Sequence, residues 1–163
     1  DWALHVQGPV VSDLQKVCEH MAKVEILQTI KSRLNRKRPS PTHLPTIQVR
    51  INDWVRGKKE ITATYLKMLR SAESHVTIMS SYLLPGKMLR VNLKRAARRG
   101  VKIRFIMAGI SDVSVAKHAE RHMYRWMLRN NIEIFEYHRN VLHAKMAVCD
   151  SEWLTLGSYN VNN

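Results

Sequence analysis

Val141-Leu142-His143-Ala144-Lys145-Met146-Ala147-Val148-Cys149-Asp150-Ser151-Glu152-Trp153-Leu154-Thr155-Leu156-Gly157-Ser158-Tyr159-Asn160 is the stretch from which the rest of the chain can be read. Reduced to its polar positions it is His-x-Lys-x4-Asp-x6-Gly-Ser-x-Asn. The apolar alternation predicts a strand over 142–148 and a second over 153–156, joined as a hairpin. Side chains two apart on a strand share a face, so the His143 imidazole and the Lys145 ammonium are expected to point the same way. Ser158 and Asn160 repeat that spacing at the end of the second run and are expected to converge with them. The set holds one group able to attack or to shuttle a proton, one fixed cation and two neutral hydrogen-bond formers. Phosphoryl transfer requires such a set. No carboxylate cluster or Cys/His cage accompanies it, so no metal or other cofactor is expected. Asp150 lies an odd step from His143 and points to the other side of a straight strand. It is expected to be a motif residue with a structural role, accepting backbone hydrogen bonds in the turn at Ser151 and Glu152.

Working outward, strands and helices alternate. Helices are predicted from Thr62 or Glu60 through Ala72, over 87–99 and over 113–130, and strands over 75–84, 101–108 and 132–137. This order implies an α/β fold whose mostly parallel sheet is flanked by helices, made mixed by the final hairpin. Nearer the start, 3–6 reads as a strand and Gly8-Pro9 as a turn. A helix follows, capped by Ser12 or Asp13 and carrying Leu14, Val17, Met21, Val24 and Leu27 at helical spacing, and fraying near 31–35. The segment from Arg36-Lys37-Arg38 through Pro39, Pro41 and Pro45 reads as a loop. Residues 46–51 read as a strand and 52–59 as a polar linker.

The motif resembles the HKD motif of the phospholipase D superfamily. The resemblance extends upstream through Ser81-Tyr82-Leu83-Leu84-Pro85, the run 96–103, Gly109-Ile110-Ser111-Asp112 and Glu136-Tyr137, which look like the bacterial cardiolipin synthase branch. Val6-Gln7-Gly8-Pro9-Val10-Val11 resembles the segment that follows a first HKD motif. The resemblance therefore implies two parts: 1–56 as the tail of a preceding lobe with its linker, and 57–163 as a second phospholipase D-like lobe, truncated at its C-terminus. It implies a phosphatidyltransferase that joins two phosphatidylglycerol molecules into cardiolipin through a phosphohistidine intermediate. A phospholipase D-type phosphodiesterase acting on lipid or nucleic acid, and a non-catalytic phosphate-binding half-domain, are the alternatives. As a second-motif residue, His143 is the expected general acid. Lys145, Ser158 and Asn160 are expected to hold the phosphate, and Asp150 completes the catalytic motif. The partner imidazole would come from an upstream HKD lobe in cis or from a second copy in a homodimer, so the stretch alone is expected to be inactive. In the family, a carboxylate shortly after the Asn often orients the His, and that position lies beyond Asn163.

A net charge of +14 over 163 residues favours anionic partners. Lys87, Arg90, Lys94 and Arg98 line one side of a predicted helix. Lys117, Arg121, Arg125 and Arg129 recur every fourth residue on another. These stripes are either solvated faces or docking surfaces for anionic phospholipid at a membrane surface, with phosphatidylglycerol and cardiolipin as the expected lipids. Nucleic acid is less favoured, because no aromatics interleave the basic positions. No apolar run is long enough to span a bilayer and no signal peptide is visible. The expected place is therefore the cytoplasmic or peripheral side of a bacterial inner membrane, with this stretch itself soluble and room for an anchor upstream of Asp1. Two cysteines exclude a disulfide framework. His118 and His122 have metal-ligand spacing, but Ala119 stands where a metalloprotease needs Glu. Met79, Met88, Met107, Met123 and Met127 are expected to fill the core.

Overall fold

In the computed structural model, residues 4–21, 46–53, 57–110 and 114–161 are described. The chain divides into two compact units at Ile51/Asn52. The first contains one helix, α1 (Val10–Met21). Its entry is the turn at Gly8-Pro9, where the Val11 N–H donates to the Gly8 carbonyl at 3.1 Å and the Ser12 hydroxyl to that of Pro9 at 2.9 Å. The helix thus begins before the expected caps. Residues 4–6 and 46–51 are not strands. The strand expectations at these places fail because apolar alternation in a short segment does not supply a neighbour to pair with. The helix positions beyond Met21, and the basic and proline-rich segment, lie outside the described residues.

The second unit opens where the linker was expected. β1 (Asn52–Asp53) pairs antiparallel with β2 (Lys58–Lys59). This clasp serves the next helix, α2 (Glu60–Ser71), whose own N-cap, Lys59, supplies no side-chain cap. The Asn52 side-chain oxygen accepts from the Ile61 N–H at 3.0 Å and satisfies one of the donors every helix start leaves open.

The body alternates as expected: β3 (His75–Ser80), α3 (Lys87–Arg98), β4 (Lys102–Ala108), α4 (Ser114–Leu128), β5 (Ile132–Tyr137), β6 (Met146–Cys149) and β7 (Trp153–Leu156). The five-stranded sheet has the order β5-β4-β3-β6-β7. β5, β4 and β3 are parallel; β6 runs against β3, and β7 against β6. Alternation along the strands builds the core. Val76 and Ile78, Ile103 and Phe105, and Ala147 and Cys149 are all buried on one parity. They pack in one apolar cluster with Met68 and Leu69 of α2, Leu93 of α3 and Met127 of α4. Residues on the other parity, such as Arg104, Phe135 and Leu154, are exposed. α3 stops at Gly100, whose φ of 92° admits the left-handed residue that lets Val101 turn back and bond to Ala96. Of the methionines assigned to the core, Met107 and Met127 are fully buried, whereas Met88 is 58% exposed at the start of α3.

Candidate active site

The parallel strands β3, β4 and β5 end at one edge of the sheet, and β6 begins there. β6 starts at Met146, so His143 and Lys145 stand just before the strand and not within the expected 142–148. The ladder still reaches one step further, because the Gly157 N–H donates to the Lys145 carbonyl at 3.1 Å. This bond sets Lys145 level with the glycine that ends β7. The chain bends at Gly157 and Ser158, so strand alternation does not orient Ser158 and Asn160. Their placement comes from the flanking residues. Tyr159 lies 3.2 Å, hydroxyl to hydroxyl, from Thr62 of α2 and packs its ring against Tyr65, and Val161 is buried in the core. Asn160 is held between these two anchors.

Two features of this edge are electrostatically incomplete. The Lys145 side chain is 6% exposed, and its ammonium donates to the His143 carbonyl at 3.1 Å. Among the described residues no carboxylate pairs with it. Burial accordingly lowers its pKa. An ammonium has three donors, so a buried one with a single neutral acceptor favours an incoming anion. The second feature is the Asn160 side-chain oxygen, which is buried without a hydrogen-bond partner. Ser81 Oγ, just past the end of β3, is in the same condition. His143 and Ser158 are exposed. The structure therefore brings Lys145, Ser158 and Asn160 to one sheet edge, with His143 two residues from Lys145.

Asp150 is at the other edge, beyond the far end of β6. It and Ser151 adopt left-handed conformations, φ 50° and 61°, in the tight turn closed by Glu152 N–H to the Cys149 carbonyl at 3.0 Å. Its carboxylate does not accept the backbone N–H groups of Ser151 and Glu152 that the sequence led us to expect, although the Cys149 thiol donates to it at 3.4 Å. The carboxylate accepts the N–H groups of Glu73, Ser74 and His75 at 2.7, 2.9 and 2.7 Å, from the connection between α2 and β3. The His75 bond, then that of Glu73, outweigh the opposing effect of burial, and with the Ser74 bond hold the carboxyl down to about 2. His75 also brings its ring within 3.8 Å of Asp150.

One cluster near the site went unread in the sequence. Lys117, assigned above to an exposed basic stripe, has a side chain only 10% exposed. Its ammonium lies 2.9 Å from Glu120 and 2.8 Å from Glu136, and donates to the Ala108 carbonyl at 2.6 Å. Tyr124 donates to Glu136 at 2.6 Å, and the Leu83 N–H donates to Glu120 at 3.1 Å. Burial raises the Glu136 pKa, but the Lys117 and Tyr124 hydrogen bonds and the nearby cations outweigh it, and the net shift is downward. The cluster ties together the ends of β4 and β5 and the segment after β3. Positions 117, 120, 124 and 127 fall on one helical face. Extending the face of buried Met127 backward would have placed Lys117 and Glu120 inside. Arg121 and Arg125 remain exposed.

A parallel βαβαβ core with an antiparallel hairpin, and His-x-Lys beside Gly-Ser-x-Asn at one sheet edge, define a lobe of the phospholipase D superfamily. Residues 65–163 match the family described as cardiolipin synthase, PLD-like domain, and the chain belongs to that family. Cardiolipin synthase B of Shigella flexneri is 32% identical over 168 residues, covering 99% of this chain and 40% of the relative. Cardiolipin synthase B of Escherichia coli matches over the same shares at the same identity. The chain therefore spans 40% of the length of these curated relatives. Nuc of Salmonella typhimurium, a phospholipase D family member, superposes with a TM-score of 0.53 at 19% identity, covering 63% of this chain and 66% of that one. At that identity the likeness speaks for the fold alone.

Proposed function

We propose that the chain is the second-motif lobe of a phosphatidyltransferase of the cardiolipin synthase type. The observation that carries this reading is the buried Lys145 ammonium without a carboxylate, at the same sheet edge as His143 and the unpartnered Asn160 side chain. In the proposed reaction, an imidazole from a second HKD site attacks phosphorus of one phosphatidylglycerol. A P–N bond forms and the P–O bond to glycerol breaks, with His143 donating the proton that glycerol takes away. His143 then removes the proton of a second phosphatidylglycerol hydroxyl. That oxygen attacks phosphorus, the P–N bond breaks and cardiolipin results. Lys145, Ser158 and Asn160 hold the phosphate oxygens, and Asp150 fixes the hairpin that carries them. The second site is an upstream lobe in cis or a second copy in a homodimer. One imidazole cannot stand on both sides of phosphorus at once.

Anionic phospholipid at a membrane surface is the proposed partner, at the cytoplasmic or peripheral face of a bacterial inner membrane. No helix among the described residues is long and apolar enough to cross a membrane. The test measures cardiolipin formed from phosphatidylglycerol by the chain alone and by a longer protein with a second His-x-Lys motif. Turnover is expected only in the longer protein, and its loss in His143→Ala. Turnover by the monomeric short chain, or its persistence in the longer protein after His143→Ala, would overturn the reading.

A further inference from the structure

We infer that the cleft between the C-terminal ends of α3 and α4 is a second phosphate-binding site, independent of the reading of His143 above. A cavity of about 290 Å³ lies there, lined by Lys94, Ala97, Arg98, Arg129, Asn130 and Asn131. Three basic residues and two asparagines thus line one concavity. The two basic stripes of the sequence meet in it, once Lys117 is removed to the interior.

The bland alternative is three solvated side chains that complement helix C-termini. Two observations weigh against it. First, hydrogen bonds already occupy the last carbonyls of α4 and, in α3, those of Arg95, Ala96 and Ala97. Arg99, Gly100 and Val101 return their N–H groups to α3, Asn130 and Asn131 return theirs to Met127 and Leu128, and the Asn130 amide donates to the Trp126 carbonyl at 2.7 Å. Second, none of the three cations is ion-paired among the described residues. α3 contains no Asp or Glu, and the only carboxylate on α4, Glu120, is buried against Lys117.

The charge balance decides the ligand. Each helix C-terminus contributes about −0.5 of an elementary charge. Two such ends against three cations leave a surplus of about +2. A phosphate monoester, close to doubly charged at neutral pH, matches that surplus, a singly charged diester offsets half of it, and the guanidinium forks of Arg98 and Arg129 suit the paired oxygens of either. The cleft sits where β4 and β5 begin, whereas Lys145 stands level with their far ends. β4 is seven residues long. At about 3.3 Å per residue, the two sites are separated by roughly 20 Å. The cleft is therefore not a subsite of the reaction centre.

The experiment follows the side-chain Nε–Hε signals of the arginines by NMR while inorganic phosphate, or glycerophosphoglycerol as a soluble diester headgroup, is titrated at constant ionic strength. Signals of Arg98 and Arg129 are expected to move together and to saturate, while Arg121 and Arg125 stay still. Arg98→Ala and Arg129→Ala are each expected to weaken binding about tenfold, as loss of a charge-assisted bond would. Lys145→Ala should leave the cleft response intact, which separates its failure from that of the reaction centre. A stronger response to inorganic phosphate assigns the cleft to free phosphate. A stronger response to the diester, with sedimentation on phosphatidylglycerol vesicles lost in the double arginine variant, assigns it to a lipid headgroup. Equal, unsaturated movement of all exposed arginines, or no movement, would overturn the proposal.

Discussion

Asp150→Asn isolates the charge of a single carboxylate while keeping its size and its left-handed backbone, which Asn tolerates well. In the folded chain three backbone N–H groups hold the carboxyl down to about 2, against an ordinary 3.8. At about 1.4 kcal/mol per pH unit, that difference amounts to about 2 kcal/mol of stability. The sign follows from the depressed folded value. The contribution is complete above about pH 4, where the unfolded carboxyl is also ionised, and it fades as pH falls towards 2. Urea unfolding at pH 7 should therefore find the variant about 2 kcal/mol less stable than its parent, and the gap should close by about pH 2. Phosphate affinity at Lys145, measured at pH 7 far from the unfolding transition, should be unchanged, because Asp150 lies at the opposite end of β6. A gap as large at pH 2 as at pH 7, or one below about 0.5 kcal/mol at pH 7, would refute a charge-based role. A loss of phosphate affinity with stability intact would put Asp150 in the reaction centre instead.

Three further outcomes are expected. Lys117→Met leaves Glu120 and Glu136 facing each other without their shared cation; it should cost about 3–5 kcal/mol and be visible as a large fall in melting temperature, and a melt close to the parent's would show that the cluster is not electrostatically closed. Burial and then Asp150 push the Cys149 thiol up to about 12, so iodoacetamide at pH 8 should label exposed Cys18 and reach Cys149 only through unfolding; equal labelling rates would contradict this. Binding to phosphatidylglycerol vesicles should weaken as salt rises, since Arg121 and Arg125 meet the surface from the solvent side; equal binding to neutral vesicles would remove the lipid role of these residues.

The sheet and its helices were legible because their signals are periodic and their partners are neighbours in sequence. β5 and β7 have the residues expected of them, and the other elements differ mainly at their ends. Hydrophobic periodicity failed in two ways. It extended the motif strand back to Leu142, although the backbone before Met146 has left the ladder except at Lys145. It also read charge as exposure at Lys117, although the helical face it shares with Met127 points inward; only its second carboxylate partner, Glu136 from β5, is a long-range contact that local spacing does not contain. The clasp at Asn52 was missed for the same reason. Its value lies in a cap nine residues downstream, at Ile61.

The spacing of the motif acquires a mechanical meaning from the fold. The four residues between Lys145 and Asp150 are β6 itself, Met146–Cys149. The six between Asp150 and Gly157 are two turn residues followed by β7, Trp153–Leu156. Polar chemistry at one end and the fastening carboxylate at the other are thus separated by one strand length in each direction. Asp150 secures the turn to the backbone of 73–75, which fixes where β6 ends and β7 begins. The register Cys149 to Trp153 and Met146 to Leu156 then delivers Lys145 opposite Gly157. A slip of one residue would turn every side chain of one strand to the other face, burying Leu154 or Leu156 and expelling Trp153 and Thr155. The opposition of Lys145 and Gly157 is therefore protected by the packing of the whole hairpin. That is why a residue as far from the phosphate as Asp150 belongs in the same pattern as those proposed to hold it.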